Sequence, residues 1–308
     1  MPKSPKVGRF AGKLRFVQVF DGMEISQLIF NGIAVGSIIA LAAVGLTLTY
    51  GILRLSNFAH GDFMTLAAYL TWFANTNGVN LWLAMAIGCG GTIAAMLLSE
   101  WLLWKPMRDK RATSTTLIII SIGLALFIRN GVLLIWGGSN QNYQVPIIAA
   151  QDFMGIKLEY YRLLVIAMAI VAMIALHLLL QKTKVGKAMR AVADNVDLAK
   201  VSGINVEWVV IWTWVITAVL TAMGGSMYGL ITTLKPNMGW FLILPMFASV
   251  ILGGIGNPYG AIAGGLIIGI AQEVSVPWFG TSYKMGVALL LMIGILFVRP
   301  QGLFKGTQ

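Results

Sequence analysis

The segment Asn57-Phe58-Ala59-His60-Gly61-Asp62-Phe63 decides the fold. It places one of the two histidines of the chain, with an asparagine, a glycine and an aspartate, between long apolar stretches. In a water-soluble protein these residues would make an ordinary surface loop. Irregular polar backbone at membrane depth persists only where protein or a water-filled cavity covers it. The segment therefore reads as an interruption beside a transport path, with Asn57, His60, Gly61 and Asp62 as candidate path residues. The plainer alternative is a turn in which Asp62 caps the next helix, its charge suited to the positive helix end.

The surrounding composition supports the membrane reading. Of 308 residues, 58% are hydrophobic and 11% charged. No soluble domain of this size keeps so much apolar surface from water, so the expected class is all-α, a polytopic membrane helix bundle. Windows of about 20 apolar residues place helices over 25–50, 62–73, 81–104, 115–136, 163–180, 208–230, 240–252, 259–272 and 285–298. That gives eight or nine transmembrane segments, of which 62–73, 240–252 and 259–272 are short enough to be broken or re-entrant. The lone Cys89 excludes an internal disulfide and a cysteine metal site. No cofactor is expected.

The net charge of +11 sits in loops, as cytoplasmic segments of membrane proteins require. The basic stretches 105–111 and 182–200 share a side, and 299–305 joins them. The segment 137–162, poor in positive charge, belongs outside with 235–239. Counting back over nine spans puts the N-terminus outside, against its own basic tract of Lys3, Lys6, Arg9, Lys13 and Arg15. Either residues 1–22 are an untranslated extension, with Met23 as the start, or an early element is re-entrant. The remainder, 23–308, is expected to be one transmembrane domain.

Glycines recur four residues apart at Gly32/Gly36, Gly256/Gly260, Gly260/Gly264 and Gly265/Gly269, a spacing that lets helix backbones approach closely. A second polar break, around Gly254, Gly256, Asn257 and Gly260, also precedes a short glycine-rich helix. Two interrupted segments in corresponding halves point to an internal repeat, and add Gly254, Gly256 and Gly260 to the candidate path. Arg129-Asn130 lies inside the fourth apolar segment, where a charge must face the bundle or snorkel outward. Asn130 joins the path set. His177, Glu100 and Glu273 lie near segment ends and are expected to be solvated.

Motifs of chemistry are missing. Gly186-Lys187-Ala188 lacks the serine or threonine and the upstream glycine of a phosphate-binding loop. The spans carry no stacked carboxylates and histidines of a proton relay. The chain is expected to be no enzyme, and uphill transport would draw energy from another subunit. A docking place is visible at 183–205, where Ala188, Ala191, Val192, Asn195, Leu198, Ala199 and Ser202 recur near one face at helical spacing. Gly203 reads as the residue that ends this helix. The face is built of alanine and valine rather than the tryptophan, phenylalanine and leucine of a lipid-surface helix, which favours a protein partner.

Taken together, these segments resemble the integral-membrane permeases of ABC importers for branched-chain and other hydrophobic amino acids. The likeness runs over 25–305 through Asn31-Gly32, Tyr50-Gly51-Ile52, Asn57-Phe58-Ala59-His60-Gly61-Asp62, Lys105-Pro106 and Ile122-Gly123-Leu124. It continues in Gly186-Lys187-Ala188-Met189-Arg190-Ala191, Gly203-Ile204-Asn205, Gly253-Gly254-Ile255-Gly256 and Arg299-Pro300-Gln301-Gly302. The Asn-Phe-Ala-His-Gly form is similar to the shorter of the family's two permease types. Arg129 departs from the glutamine common before this asparagine. The resemblance implies an inner-membrane, multi-pass subunit partnered by a second homologous permease, two cytosolic ABC ATPases and an external substrate-binding protein. It implies that the ATPase couples to 183–205, through Gly186, Ala191, Asp194, Ala199, Gly203, Ile204 and Asn205. Relatives that import urea or short amides keep the same fold as an alternative, with an ion-coupled carrier as the reading from another class.

Overall fold

The computed structural model describes residues 22–153 and 155–304; the basic tract 3–15 and the question of the start lie outside them. Among the described residues, six helices are long and apolar enough to cross a membrane. The first, α1, is Gly22–Leu53. It is followed by the short α2, His60–Thr76, then α3 over Leu81–Asp109 and α4, Ser114–Trp136. After a two-stranded antiparallel hairpin, Gln151–Phe153 with Ile156–Leu158, come α5, Tyr160–Lys182, and the small helices α6, Lys184–Asp194, and α7, Val196–Val201. The chain then forms α8, Val206–Ile231, α9, Met238–Gly253, α10, Pro258–Val274, and α11, Lys284–Val298. This hairpin and a single antiparallel bridge between Gln141 and Leu234 are departures from an all-helical reading.

Local chemistry sets the helix starts. Asn80, Thr113, Thr183, Asn205 and Asn257 each accept a first-turn N–H with their side-chain oxygen, satisfying donors that a helix terminus leaves orphaned. The predicted short segments are the helices α2, α9 and α10. One end of the bundle gathers the basic stretches: Arg54, Lys105, Arg108 and Lys200 border a single cavity there. The segment after α11 ends at the same place, with Leu303 and Phe304 donating N–H groups to Leu252 and Gly253 carbonyls. At the opposite end Gln27 of α1 binds both the N–H and the carbonyl of Lys157. The start of α1 therefore lies with 137–159, away from the basic end.

The core runs along α1, which is almost wholly buried from Gly36 to Thr49. Its glycines explain the packing. A Cβ on Gly36 would lie 3.0 Å from the Gly265 carbonyl oxygen, and one on Gly269 2.2 Å from the Gly36 Cα. The predicted Gly32/Gly36 and Gly265/Gly269 pairs thus meet each other as the seam between α1 and α10, a contact of backbones that dispersion stabilises where no water is expelled. By contrast α4 is mostly exposed along its length.

Two residues expected to be solvated are instead enclosed. Glu100 is 7% exposed and binds the Arg108 guanidinium, while Trp214 Nε1 donates to it at 2.7 Å. A π-helical turn over Glu100–Trp104 turns Trp104 inward to stack on Trp214 at 6.4 Å. Glu273 pairs with Lys284 at 2.5 Å, closing the hairpin between α10 and α11. A carboxylate near a span end is buried when a cation and an indole reach it.

Candidate translocation site

The interruption at 54–59 is a non-helical stretch, ending in a turn at Phe58–Ala59, that leads back into the bundle. Arg54 adopts a left-handed conformation, φ 53°, where α1 stops. The chain then re-enters until His60 lies against Gly45, in the middle of α1; a Cβ there would be 3.1 Å from the imidazole. Asn57 is fully buried, and its Oδ1 accepts the Ala59 N–H at 3.1 Å. The Phe58 N–H is received by Ser121 of α4 at 3.2 Å. His60 Nε2 is 3.2 Å from the Thr221 hydroxyl of α8, which itself donates to the Thr217 carbonyl, while Thr217 Oγ1 donates to the Gly45 carbonyl. Asn57 Nδ2 and His60 Nδ1 are buried without a hydrogen-bond partner.

Asp62 does not cap α2. The cap position is Ala59, with no side-chain bond, and the Asp62 carboxylate faces Arg129. Both oxygens are engaged, by Nε and Nη2 at 3.0 Å each. Arg129 does not snorkel; it also lies over the Trp240 ring, 4.7 Å from its centroid. Asn130 points the other way, exposed, with Nδ2 donating to Leu126 of its own helix. Helical spacing accounts for this, since neighbours along a helix are about 100° apart and do not share a face.

The first turn of α2 touches the first turn of α9. A Cβ on Gly61 would lie 2.2 Å from the Gly239 carbonyl oxygen, one on Gly239 1.9 Å from that of Gly61, and the Gly239 N–H donates to Thr65 Oγ1 at 3.0 Å. From this crossing the helices leave in opposite directions. The end of α2 meets the 137–159 side, where Asn75 accepts the Gln144 N–H; the end of α9 meets the segment after α11 at the basic end. Two helix starts, each with the positive end of its dipole, therefore converge inside the bundle.

The second predicted break lies elsewhere. Gly254 and Gly256 have φ of 105° and 87° and make the tight turn between α9 and α10, Gly260 packing on Gly253 within 2.2 Å of a would-be Cβ. The Gly256 N–H reaches Thr47 at 2.9 Å. The geometry thus sets Asn57, His60, Gly61 and Asp62 together and leaves Gly254, Gly256, Gly260 and Asn130 apart from them. Thr217, Thr221, Arg129, Gly239 and Trp240 complete the central group. The Lys-Pro-Asn-Met-Gly stretch at 235–239 is the one sequence signal for the α9 start.

The segment 183–205 is two helices, because Asn195 breaks the run at φ −157° and caps α7 by accepting the Leu198 N–H at 2.9 Å. Gly203 closes α7 at φ 82°: its N–H goes to Lys200 and that of Ile204 to Ala199, the paired bonds of a left-handed helix stop. Asn205 then caps α8. Gly186, Met189, Val192 and Ala199 are turned into the bundle, Ala191 is half-buried, and Asp194, Gly203 and Asn205 are exposed. The predicted face is thus divided: Ala188, Ala191, Val192 and Ala199 pack wholly or partly on this chain, while Asn195, Leu198 and Ser202 are exposed. Among the large apolar side chains of the segment, Leu198, 62% exposed, and Val201, 82% exposed, face outward most fully.

Residues 28–296 match the family model for the permease component of the branched-chain amino acid transport system. The high-affinity branched-chain amino acid transport permease LivH of Salmonella typhimurium is 31% identical, over 90% of this chain and 94% of its own length. BraD of Pseudomonas aeruginosa, described in the same words, is 30% identical over the same shares. The ribose import permease RbsC of Bacillus subtilis is 25% identical over 96% of this chain and 93% of its own. In fold, a chain of the PsaBC assembly of Streptococcus pneumoniae solved with a Fab superposes with a TM-score of 0.52 at 12% identity, covering 92% of this chain and 94% of that one. With its helices, its interrupted segments and this end-to-end likeness, the chain belongs to the family of branched-chain amino acid transport permeases.

Proposed function

We propose that this chain is the membrane-spanning subunit of an ABC importer that carries neutral, branched-chain or other hydrophobic amino acids across the inner membrane. The likeness to LivH and BraD over nine-tenths of the chain carries this reading. All nine apolar helices cross the bilayer, α2 and α9 after non-helical lead-ins from opposite sides. The central group of Asn57, His60, Gly61 and Asp62 shapes the path, and Gly254, Gly256 and Gly260 form its turn at the cytoplasmic end. ATP hydrolysis on two separate subunits drives alternating access. Their contact is 183–205, where Asp194, Leu198, Val201, Gly203 and Asn205 are presented, while Gly186, Ala191, Ala199 and Ile204 hold the segment to the bundle. A second permease and an external binding protein complete the assembly.

The test is reconstitution of the complex with its ATPases and binding protein in vesicles. Labelled leucine is expected to accumulate only with ATP on the ATPase side. Accumulation of urea or a short amide in place of leucine would move the cargo within the same scaffold. Leucine uptake that persists without any ATPase subunit would overturn the importer reading in favour of an ion-coupled carrier.

A further inference from the structure

Arg129 is the one cation among the described residues that reaches the convergence of α2 and α9. Its guanidinium holds Asp62, one residue after Gly61, and covers Trp240, one residue after Gly239. Gly61 and Gly239 are the two residues whose backbones touch at the crossing. Asp62 is 1% exposed and Arg129 19%, so the pair is enclosed yet edged by Trp240. Meanwhile α4, the helix that carries Arg129, is mostly exposed. A planar, two-pronged cation is suited to this task, since it binds a carboxylate bidentately and stacks on an indole together, which an ammonium does not.

We infer that Arg129 is a positioning residue that pins the first turns of α2 and α9 to each other, so that the two interrupted helices and α4 move as one body during the transport cycle. Charge cancellation alone would not require this residue: any cation near Asp62 would serve, without contact to Trp240. Transport by alternating access needs rigid bodies that move against each other about close contacts. Arg129 ties one such contact across three helices. The inference rests on the transport function proposed for the chain.

Arg129→Lys keeps the charge and removes the fork and the stacking. In the reconstituted complex it should leave assembly and ATP hydrolysis in place and lower leucine turnover by about tenfold, with KM for the loaded binding protein unchanged. Asp62→Asn with Arg129→Gln removes both charges together and should keep assembly while turnover stays low. Wild-type turnover in either variant overturns the inference, as does a loss in Arg129→Lys matched by equal loss of assembly. Thermal midpoints of Arg129→Lys and Trp240→Leu, singly and combined, read the contact without any cargo. Non-additive shifts are expected, and additive shifts would remove the contact. A wild-type complex that moves no leucine but shows the non-additive shifts would fail the cargo reading alone.

Discussion

The lead-ins 54–59 and 232–237 reach the same crossing from opposite ends and are built on different principles. The first is buried. Its polar groups are met inside the bundle: Asn57 Oδ1 accepts the Ala59 N–H and the Phe58 N–H goes to Ser121, and just beyond it His60 Nε2 faces Thr221 and Asp62 holds Arg129, with Asn57 Nδ2 and His60 Nδ1 unmet. The second lies at the opposite end. Its backbone is met by backbone, Leu234 exchanging both hydrogen bonds with Gln141, while Lys235 and Asn237 are exposed. A lead-in that water reaches can be specified by a proline, a glycine and one backbone pairing. One enclosed in the bundle draws its partners from several helices, because each unmet group costs about 1–3 kcal/mol, a cost carried here at Asn57 Nδ2 and His60 Nδ1.

The strongest way to break the comparison is at the crossing that the two lead-ins share. Gly239→Ala sets a methyl 1.9 Å from the Gly61 carbonyl oxygen and should cost about 3 kcal/mol or more. Loss of the monodisperse peak in detergent chromatography is expected, whereas Gly90→Ala, with open space around it, should elute as wild type. Asp62→Asn comes next. It strands a guanidinium that keeps 19% exposure, so the loss should lie near the low end of the range for a broken buried pair, about 3 kcal/mol, read as a fall in thermal midpoint. Thr221→Val removes the hydroxyl facing His60 and should cost about 2 kcal/mol, with Thr232→Val, a half-buried hydroxyl bonded only within its own helix, costing less by the same assay. The smallest effects sharpen the contrast directly. Asn57→Ala should cost about 1–2 kcal/mol because the Ala59 N–H is left dry, and Asn237→Ala, whose side chain caps nothing, should stay within about 0.5 kcal/mol. Equal losses at the two asparagines would erase the distinction between a buried and a solvated lead-in.

The same contrast explains what could be read from sequence. The buried lead-in stands out as a polar island in apolar sequence, so the enclosure of Asn57, His60 and Asp62 within the bundle is legible there. The solvated one resembles any external loop, and nothing in its sequence announces the contact of Gly239 with Gly61. Helix existence and the glycine grooves on α1 and α10 follow from hydrophobic length and four-residue spacing, both local signals; that these two grooves meet each other does not. Arg129 with Asp62, Glu100 with Arg108 and Trp214, and the inward turn of Ala199 are choices of partner across 8 to 114 residues of sequence. No spacing rule reports them. At 183–205 the periodicity was real, but a face of small residues fits the chain's own bundle as well as a partner, and Asn195 as a helix breaker was hidden within it.

The strap at Gly302–Phe304 bears on the order in which this protein can be made. The carbonyls at the end of α9 are closed by the N–H groups of Leu303 and Phe304, and Asn257 binds the Phe304 carbonyl 47 residues further along the chain. While α9 and α10 are leaving the ribosome, that turn has no such partners and is held open to water or to the insertion machinery. The turn between α9 and α10 is therefore closed late in synthesis, once α11 and the strap that follows it have been made.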